Sequence, residues 1–255
     1  MRNYAISIFL PVYNFDPLRL KHNVTVIRDF AQATYLKSEI IIVDDTSNKE
    51  TRAAITGALD LGDIRMLRYE NGPSRRENLG ASFTEARHDI VCFMDIDLAT
   101  KLEQLPELTD AINAGYDIAI GSRNLGIRPK REGYRLLISK IYNTALRVLF
   151  GSPVSDHTCG FKAFRKTSIT SIVREMGYDT TATRGWFWDA EMIIRSVRRR
   201  LRVAEIPVAW SADRESTFSF KREIKIISYM IPFWFRFRFS ATTTKAVNLP
   251  SPHAN

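Results

Sequence analysis

The sequence predicts an α/β fold built on a mostly parallel sheet flanked by helices. Two observations predict it. Short, continuously apolar runs alternate with helix-length segments over the first half of the chain, and the runs end in polar or acidic residues, as strands do when their carboxyl ends form a ligand edge. With 255 residues, 45% of them hydrophobic and 25% charged, the chain has enough apolar material for a substantial core and is neither disordered nor fibrous.

Residues 5–12, 39–43, 64–69, 90–94 and 118–120 read as strands buried on both faces. Between them, 18–33, 49–61, 76–87 and 102–113 read as helices, with Gly115 placed to end the last one. The second half is less regular. Residues 134–150 form a helix with Leu137, Ile141, Ala145 and Val148 on one face; 161–164 is a short strand, 187–200 a helix and 203–209 a strand. A catalytic domain over 1–215, an amphipathic membrane-interface segment over 216–241 and a flexible tail over 242–255 are expected.

The formal net charge of +9 favours anionic partners. The two cysteines, Cys92 and Cys159, form no C-x-x-C pair, which argues against a zinc cage and suits a reducing compartment. No signal peptide is expected, and no run of about 18 apolar residues predicts a transmembrane helix.

The residues just beyond each strand carry the chemistry: Pro11-Val12-Tyr13-Asn14, Asp44-Asp45-Thr46-Ser47, Asp95-Ile96-Asp97 and Gly121-Ser122-Arg123. Neither G-x-G-x-x-G nor G-x-x-x-x-G-K-[ST] is present, so no glycine-rich loop cradles phosphates. Asp95 and Asp97, at i and i+2 of extended chain, point the same way and suit magnesium or manganese completed by water and phosphate oxygens. A D-x-D alone is also compatible with a solvated loop or a helix cap; its place after the apolar run 90–94 favours the ligand edge. Asp44-Asp45 reads equally as a turn or helix cap and as an acceptor for the base or ribose of a donor.

These residues resemble the family 2 inverting glycosyltransferases, which have the GT-A fold. Residues 5–14 resemble the opening strand and P-x-Y-N turn, 41–47 the V-D-D-x-S segment, and Asp95-Ile96-Asp97 the D-x-D. Within that family the chain is similar to the dolichol-phosphate mannose and glucose synthases. Gly121-Ser122-Arg123 matches their G-S-R, and Arg135, Ser139 and Asn143 their R-x-x-x-S-x-x-x-N helix. Residues 156–162 match D-x-x-C-G-F-K, and Ile206-Pro207-Val208 with Trp210 and Arg214 resemble the closing E-I-P-V-x-W-x-x-R, with Arg214 one place further on.

The resemblance implies a hexose transfer from a nucleotide sugar, of the GDP-mannose or UDP-glucose type, to a polyprenyl or dolichyl phosphate, with inversion. It implies Pro11, Tyr13, Asp44 and Asp45 around the donor and Asp95 and Asp97 on a divalent metal; the stretch between Glu70 and Gly80 departs from the family pattern, and its Arg75 and Arg76 are read as donor contacts. Arg123, Arg135 and Arg214 join Asp97 as the catalytic set, gathering with Ser139 around phosphates, where arginine forks suit concentrated negative charge. Asp189 and Glu191 lie where ordinary members carry a base; they orient the acceptor or cap the helix. The chain departs from the pattern at Leu98-Ala99-Thr100, where mannose synthases have L-Q, and at Phe15-Asp16, where the acid falls one place late. The donor sugar therefore stays open.

Residues 218–239 interleave aromatic and basic residues, with Pro232 expected to break any helix. That composition suits a segment lying at a membrane interface, or an amphipathic helix packed on the body. The expected place is the cytoplasmic face of a membrane, held peripherally, and the need for a separate membrane subunit stays open. A non-lipid glycan acceptor is the alternative substrate. A nucleic-acid binder is the rival from another class, disfavoured by the two acidic pairs. A nucleotide-sugar pyrophosphorylase would carry a glycine-rich loop, and a non-catalytic subunit would not need both acids of the D-x-D.

Overall fold

The computed structural model describes residues 1–74, 76–126, 133–181, 184–185, 187–211, 220–239 and 252–254. The chain runs β1 (Arg2–Val12), α1 (Pro17–Thr34), β2 (Tyr35–Asp45), α2 (Lys49–Leu59), β3 (Ile64–Tyr69), α3 (Glu77–Ser82), β4 (Ile90–Met94), α4 (Leu105–Asn113) and β5 (Ile118–Ser122). It continues through α5 (Gly133–Phe150), β6 (Phe161–Arg165), α6 (Lys166–Met176), α7 (Phe187–Arg198), β7 (Val203–Pro207), α8 (Phe220–Phe239) and β8 (His253–Ala254). Single 3₁₀ turns follow α3 and precede α4.

One sheet holds all eight strands in the order β7-β5-β6-β4-β1-β2-β3-β8. The pairs β1–β2, β1–β4, β2–β3 and β5–β7 are parallel. β6 runs antiparallel to both β4 and β5, and so interrupts the expected parallel order.

The central strands are buried on both faces and their side chains divide by period two. Ile6, Ile8 and Leu10 of β1 join Ile40 and Ile42 in one core with α1, α2 and α4. Phe9, Ile41, Val43, Val91 and Phe93 point the other way, into a core with α6 and α7. Asp16, the displaced acid after the first turn, caps α1: its carboxylate accepts the Arg19 N–H at 2.8 Å, with Pro17 in the first turn of the helix. Asn48 caps α2 in the same way.

A third core joins α5, α7 and α8 through Leu146, Phe150, Phe187, Ala190, Ile194, Ile226 and Phe233. One expectation changes here. α8 continues through Pro232 as a helix, with Pro232 on its exposed side. The face of α5 that bears Leu137, Ile141 and Val148 points outward, those residues being 58%, 60% and 77% exposed; Leu146 and Phe150 supply the buried side. Residues 253–254, expected in a flexible tail, pair antiparallel with Leu67 and Arg68 at the sheet edge. α6 is an element that the sequence pattern did not mark. Among the described residues no helix is long and apolar enough to cross a membrane.

Candidate active site

The carboxyl ends of β1, β2, β4 and β5 meet at one edge, and the turns that leave them are tied to one another. Asn14, with φ of 47°, accepts the Asn48 N–H at 2.8 Å and donates its own N–H to Ser47 Oγ at 3.2 Å, so the β1 turn is fastened to the β2 turn. Tyr13 beside it is 49% exposed and Pro11 half-buried, which leaves a ring available to a ligand.

The two acids after β2 are committed internally. Asp44 is fully buried, accepting the Ser47 N–H at 2.9 Å on one oxygen and Arg68 Nη1 at 2.6 Å on the other. Of the two readings for Asp44, the turn cap is the one these contacts make. Asp45 accepts Ser74 N–H, Ser74 Oγ–H and Asn78 Nδ2–H at 2.8, 2.9 and 2.7 Å. It thereby holds Ser74 and Asn78 against the edge.

After β4 the alternation is clear. Ile96 is buried in the core, whereas Asp95 and Asp97 face outward together. Asn23 of α1 donates to the Ile96 carbonyl at 2.8 Å and anchors the turn. Asp97 accepts the Ala99 N–H at 3.0 Å, and Leu98 takes a φ of 57° to allow it. The surrounding protein, and then Asp95 beside it, raise the pKa of Asp97 although its carboxylate is open to the cleft. Two crowded carboxylates of this kind fit a hard divalent cation. Among the described residues no third His, Cys, Asp or Glu completes a cluster, so remaining ligands would come from water and phosphate oxygens.

The segment 156–162 braces this edge from below. Asp95 donates its N–H to the Gly160 carbonyl at 3.1 Å. Arg123, at the end of β5, spends Nε and Nη2 on Asp156 at 2.7 and 2.8 Å and also reaches Thr158 Oγ1 at 2.8 Å. Burial alone would raise the Asp156 carboxyl, but the Arg123 guanidinium prevails and holds it at about 2. Arg123 thus braces this loop. Glu205 of β7 accepts the backbone N–H groups of Ser155 and Asp156, each at 3.0 Å, and fixes the loop from the other side. His157 is fully buried between Asn143 Oδ1 at 2.9 Å and Ser152 Oγ at 2.8 Å, which joins the loop to α5. Ser139, half-buried one turn before, receives the Asn143 amide on its carbonyl at 2.9 Å.

Residues 99–101 run beside 209–211. Thr100 bridges Trp210, and Ser211 donates its N–H to the Ala99 carbonyl at 2.8 Å, so the segment after β7 lies against the turn that carries Asp97. Arg214, Arg75 and the side chain of Arg135 lie outside the described residues.

The other predicted site residues lie deeper in the protein. Glu191 is fully buried, paired with Arg195 at 2.7 Å and Arg184 at 3.3 Å, and accepts Tyr229 Oη–H of α8 at 2.8 Å. It ties α7 to α8 and to the segment before α7 that carries Arg184. Asp189 is equally buried, on Lys162 Nζ at 2.7 Å and 3.4 Å from Arg76 Nε. Arg76 is buried too, with Nη2 on Asp95 Oδ1 at 3.1 Å. Lys162 was visible in the matched segment, but nothing in its spacing marked it as the buried partner of Asp189.

A sheet of this topology with paired acids at its carboxyl edge defines an α/β enzyme of the GT-A glycosyltransferase type. Residues 7–172 match the family described as glycosyl transferase family 2, and the chain belongs to that family. Glycosyltransferase AglD of Haloferax volcanii is 30% identical over 96% of this chain, which spans 39% of that protein. The dolichyl-phosphate beta-glucosyltransferase of Saccharomyces cerevisiae is 26% identical over 80% of this chain, which spans 66% of that protein. The polyprenol monophosphomannose synthase of Mycolicibacterium smegmatis is 26% identical, with 82% and 77% covered. Among solved structures, glucosyl-3-phosphoglycerate synthase from Mycobacterium tuberculosis in complex with uridine-diphosphate superposes with a TM-score of 0.65 at 16% identity, covering 98% of this chain and 90% of that one. The same enzyme with Mn2+, uridine-diphosphate and glucosyl-3-phosphoglycerate gives 0.64 at 16% identity, with 98% and 90% covered. The chain is therefore a family 2 glycosyltransferase, similar to proteins named for dolichyl phosphate and polyprenol.

Proposed function

We propose that this chain moves a hexose from a nucleotide sugar to a polyprenyl or dolichyl phosphate, with inversion at the anomeric carbon. The observation that carries the reading is the burial of Asp189 and Glu191. Both carboxylates expected at the position of a base are consumed by Lys162, Arg184, Arg195 and Tyr229. An alcohol acceptor needs a group to take its proton. A phosphate monoester, with a second pKa of about 6, is already an anionic nucleophile near neutral pH. The relatives named for dolichyl phosphate and polyprenol support the same acceptor.

Asp95 and Asp97 would hold a magnesium or manganese ion, and a bound metal would neutralise charge on the departing diphosphate. The exposed Tyr13 ring and half-buried Pro11 would receive the base of the donor. Arg135, Arg214 and Ser139 are the proposed contacts for phosphate. The inner turn of α8 packs on the body while Ile227, Ile231, Phe235 and Phe239 stay 49–73% exposed, with Arg236 and Arg238 among them. Together with the outward face of α5, they would rest the protein peripherally on the cytoplasmic face of a membrane, where the lipid phosphate resides.

The test incubates the chain with Mn2+ or Mg2+, a polyprenyl phosphate and each of several labelled nucleotide sugars. Label should enter the lipid phase for one donor, and Asp97→Ala should abolish it. Label that appears only in a water-soluble glycan would instead establish a non-lipid acceptor.

A further inference from the structure

Arg76 carries its charge in a place where water cannot stabilise it. Its side chain is 7% exposed, and its guanidinium lies 5.1 Å from the centroid of the Phe93 ring. Lys162 Nζ lies 5.1 Å from the same ring and is itself fully buried. Between the two cations sits Asp189, with Oδ1 at 2.7 Å from Lys162 Nζ and Oδ2 at 3.4 Å from Arg76 Nε. On its other side Arg76 donates Nη2–H to Asp95 Oδ1 at 3.1 Å. The four side chains form a row of alternating charge, Asp95, Arg76, Asp189, Lys162, of which Asp95 alone, at 47% exposure, meets solvent.

Lys162 by itself can neutralise Asp189, from the shorter distance. The second cation of the row therefore serves Asp95 as well. A desolvated charge beside a carboxylate acts strongly, because little water lies between to screen it. A divalent cation approaching Asp95 meets an oxygen that already accepts a charged hydrogen bond, with a fixed positive charge behind it. Only two protein acids, Asp95 and Asp97, are offered in compensation among the described residues.

We propose that Arg76 is a resident counter-cation that keeps the Asp95–Asp97 pair from retaining a divalent metal until a nucleoside diphosphate arrives. This rests on reading that pair as the metal site. A diphosphate adds negative charge that offsets Arg76 and supplies the oxygens that the protein lacks, so metal and nucleotide bind as one event. Arg76 acts through Asp95 and is a positioning residue. Its effect is to make metal affinity conditional on the donor.

The test measures Mn2+ affinity from the electron paramagnetic resonance signal of free Mn2+, on the 255-residue chain, with and without UDP or GDP. Wild type should bind Mn2+ weakly alone and more tightly with nucleotide. Arg76→Met should gain on the order of tenfold in affinity without nucleotide, the size expected for removing one charged hydrogen bond, and should depend less on nucleotide. Arg76→Lys should stay close to wild type. Arg76→Gln, which keeps a donor for Asp189, replaces the Met variant if that one does not fold. If neutral variants bind Mn2+ no more tightly than wild type, while wild type binds it with nucleotide, Arg76 is structural and the inference fails alone. If wild type binds no Mn2+ even with nucleotide, the metal reading fails and takes this inference with it.

Discussion

Gly160 backs directly onto Asp95: a β-carbon at Gly160 would lie 2.0 Å from Asp95 Oδ2, far inside van der Waals contact. The carboxylate can therefore hold its place only because residue 160 has no side chain. Gly160→Ala should displace Asp95 and lower transfer on the order of 10²-fold, the loss expected when a reacting geometry shifts by about 1 Å. The circular dichroism spectrum and melting cooperativity should be retained. Wild-type turnover in the alanine variant would show that Asp95 need not stay where it is.

Glu191 should behave as a structural residue. Glu191→Ala leaves Arg184 and Arg195 with one carboxylate fewer and the buried Tyr229 hydroxyl without its acceptor. The loss should be about 3 kcal/mol, toward the lower end for a broken buried pair, because Glu77 and Glu175 still hold the two arginines. Urea unfolding should show the shift, while transfer per folded molecule persists. Lost turnover at unchanged stability would return Glu191 to the acceptor.

His157 should make stability depend on pH. Burial, chiefly, lowers its pKa from 6.5 to about 4. Between those values the unfolded chain takes up a proton that the folded chain refuses. Stability therefore falls as pH drops from about 6.5 toward about 4, by up to about 3 kcal/mol, and this contribution levels off below. It is fully present above pH 6.5. His157→Gln should flatten the urea midpoint over this window relative to wild type. Parallel midpoint curves for the two proteins would remove His157 as the cause.

The exposed rings of α8 should attach the protein to lipid. Phe235 and Phe239 stack at 6.2 Å, and Trp234 meets them at 5.0 and 6.2 Å, on a surface that Arg236 and Arg238 also reach. The double variant Phe235→Ser, Phe239→Ser should keep stability within about 0.5 kcal/mol, as exposed substitutions do. Flotation with anionic vesicles should fall on the order of tenfold. Phe233→Ala, on the buried side, should instead cost about 3–5 kcal/mol in unfolding. Unchanged flotation of the double variant would separate this face from the membrane.

Much of the fold was legible because it is written at short range. The strands 64–69 and 90–94 match their observed bounds, since a continuous apolar run flanked by polar turns needs no distant partner to be recognised. The outward pairing of Asp95 and Asp97 around a buried Ile96 comes from the same period of two. Asp16 as a cap was equally local, but its displacement by one residue disguised it.

The sequence by itself determined the alternation of strands and helices, the edge that bears the acids, and the family. The tertiary structure alone decided which charges stay open to a ligand. Arg76 and Asp189, Glu77 and Arg184, and Arg123 and Asp156 are each separated by more than thirty positions, yet each pair meets within 3.4 Å. No local period records such meetings. Likewise the apolar stripe of α5 announced an amphipathic helix but not that Leu137 and Ile141 would face outward. Periodicity fixes which residues share a face. Which face is covered, and which cation meets which acid, depends on the burial and desolvation balance of segments that come together only when the whole chain packs.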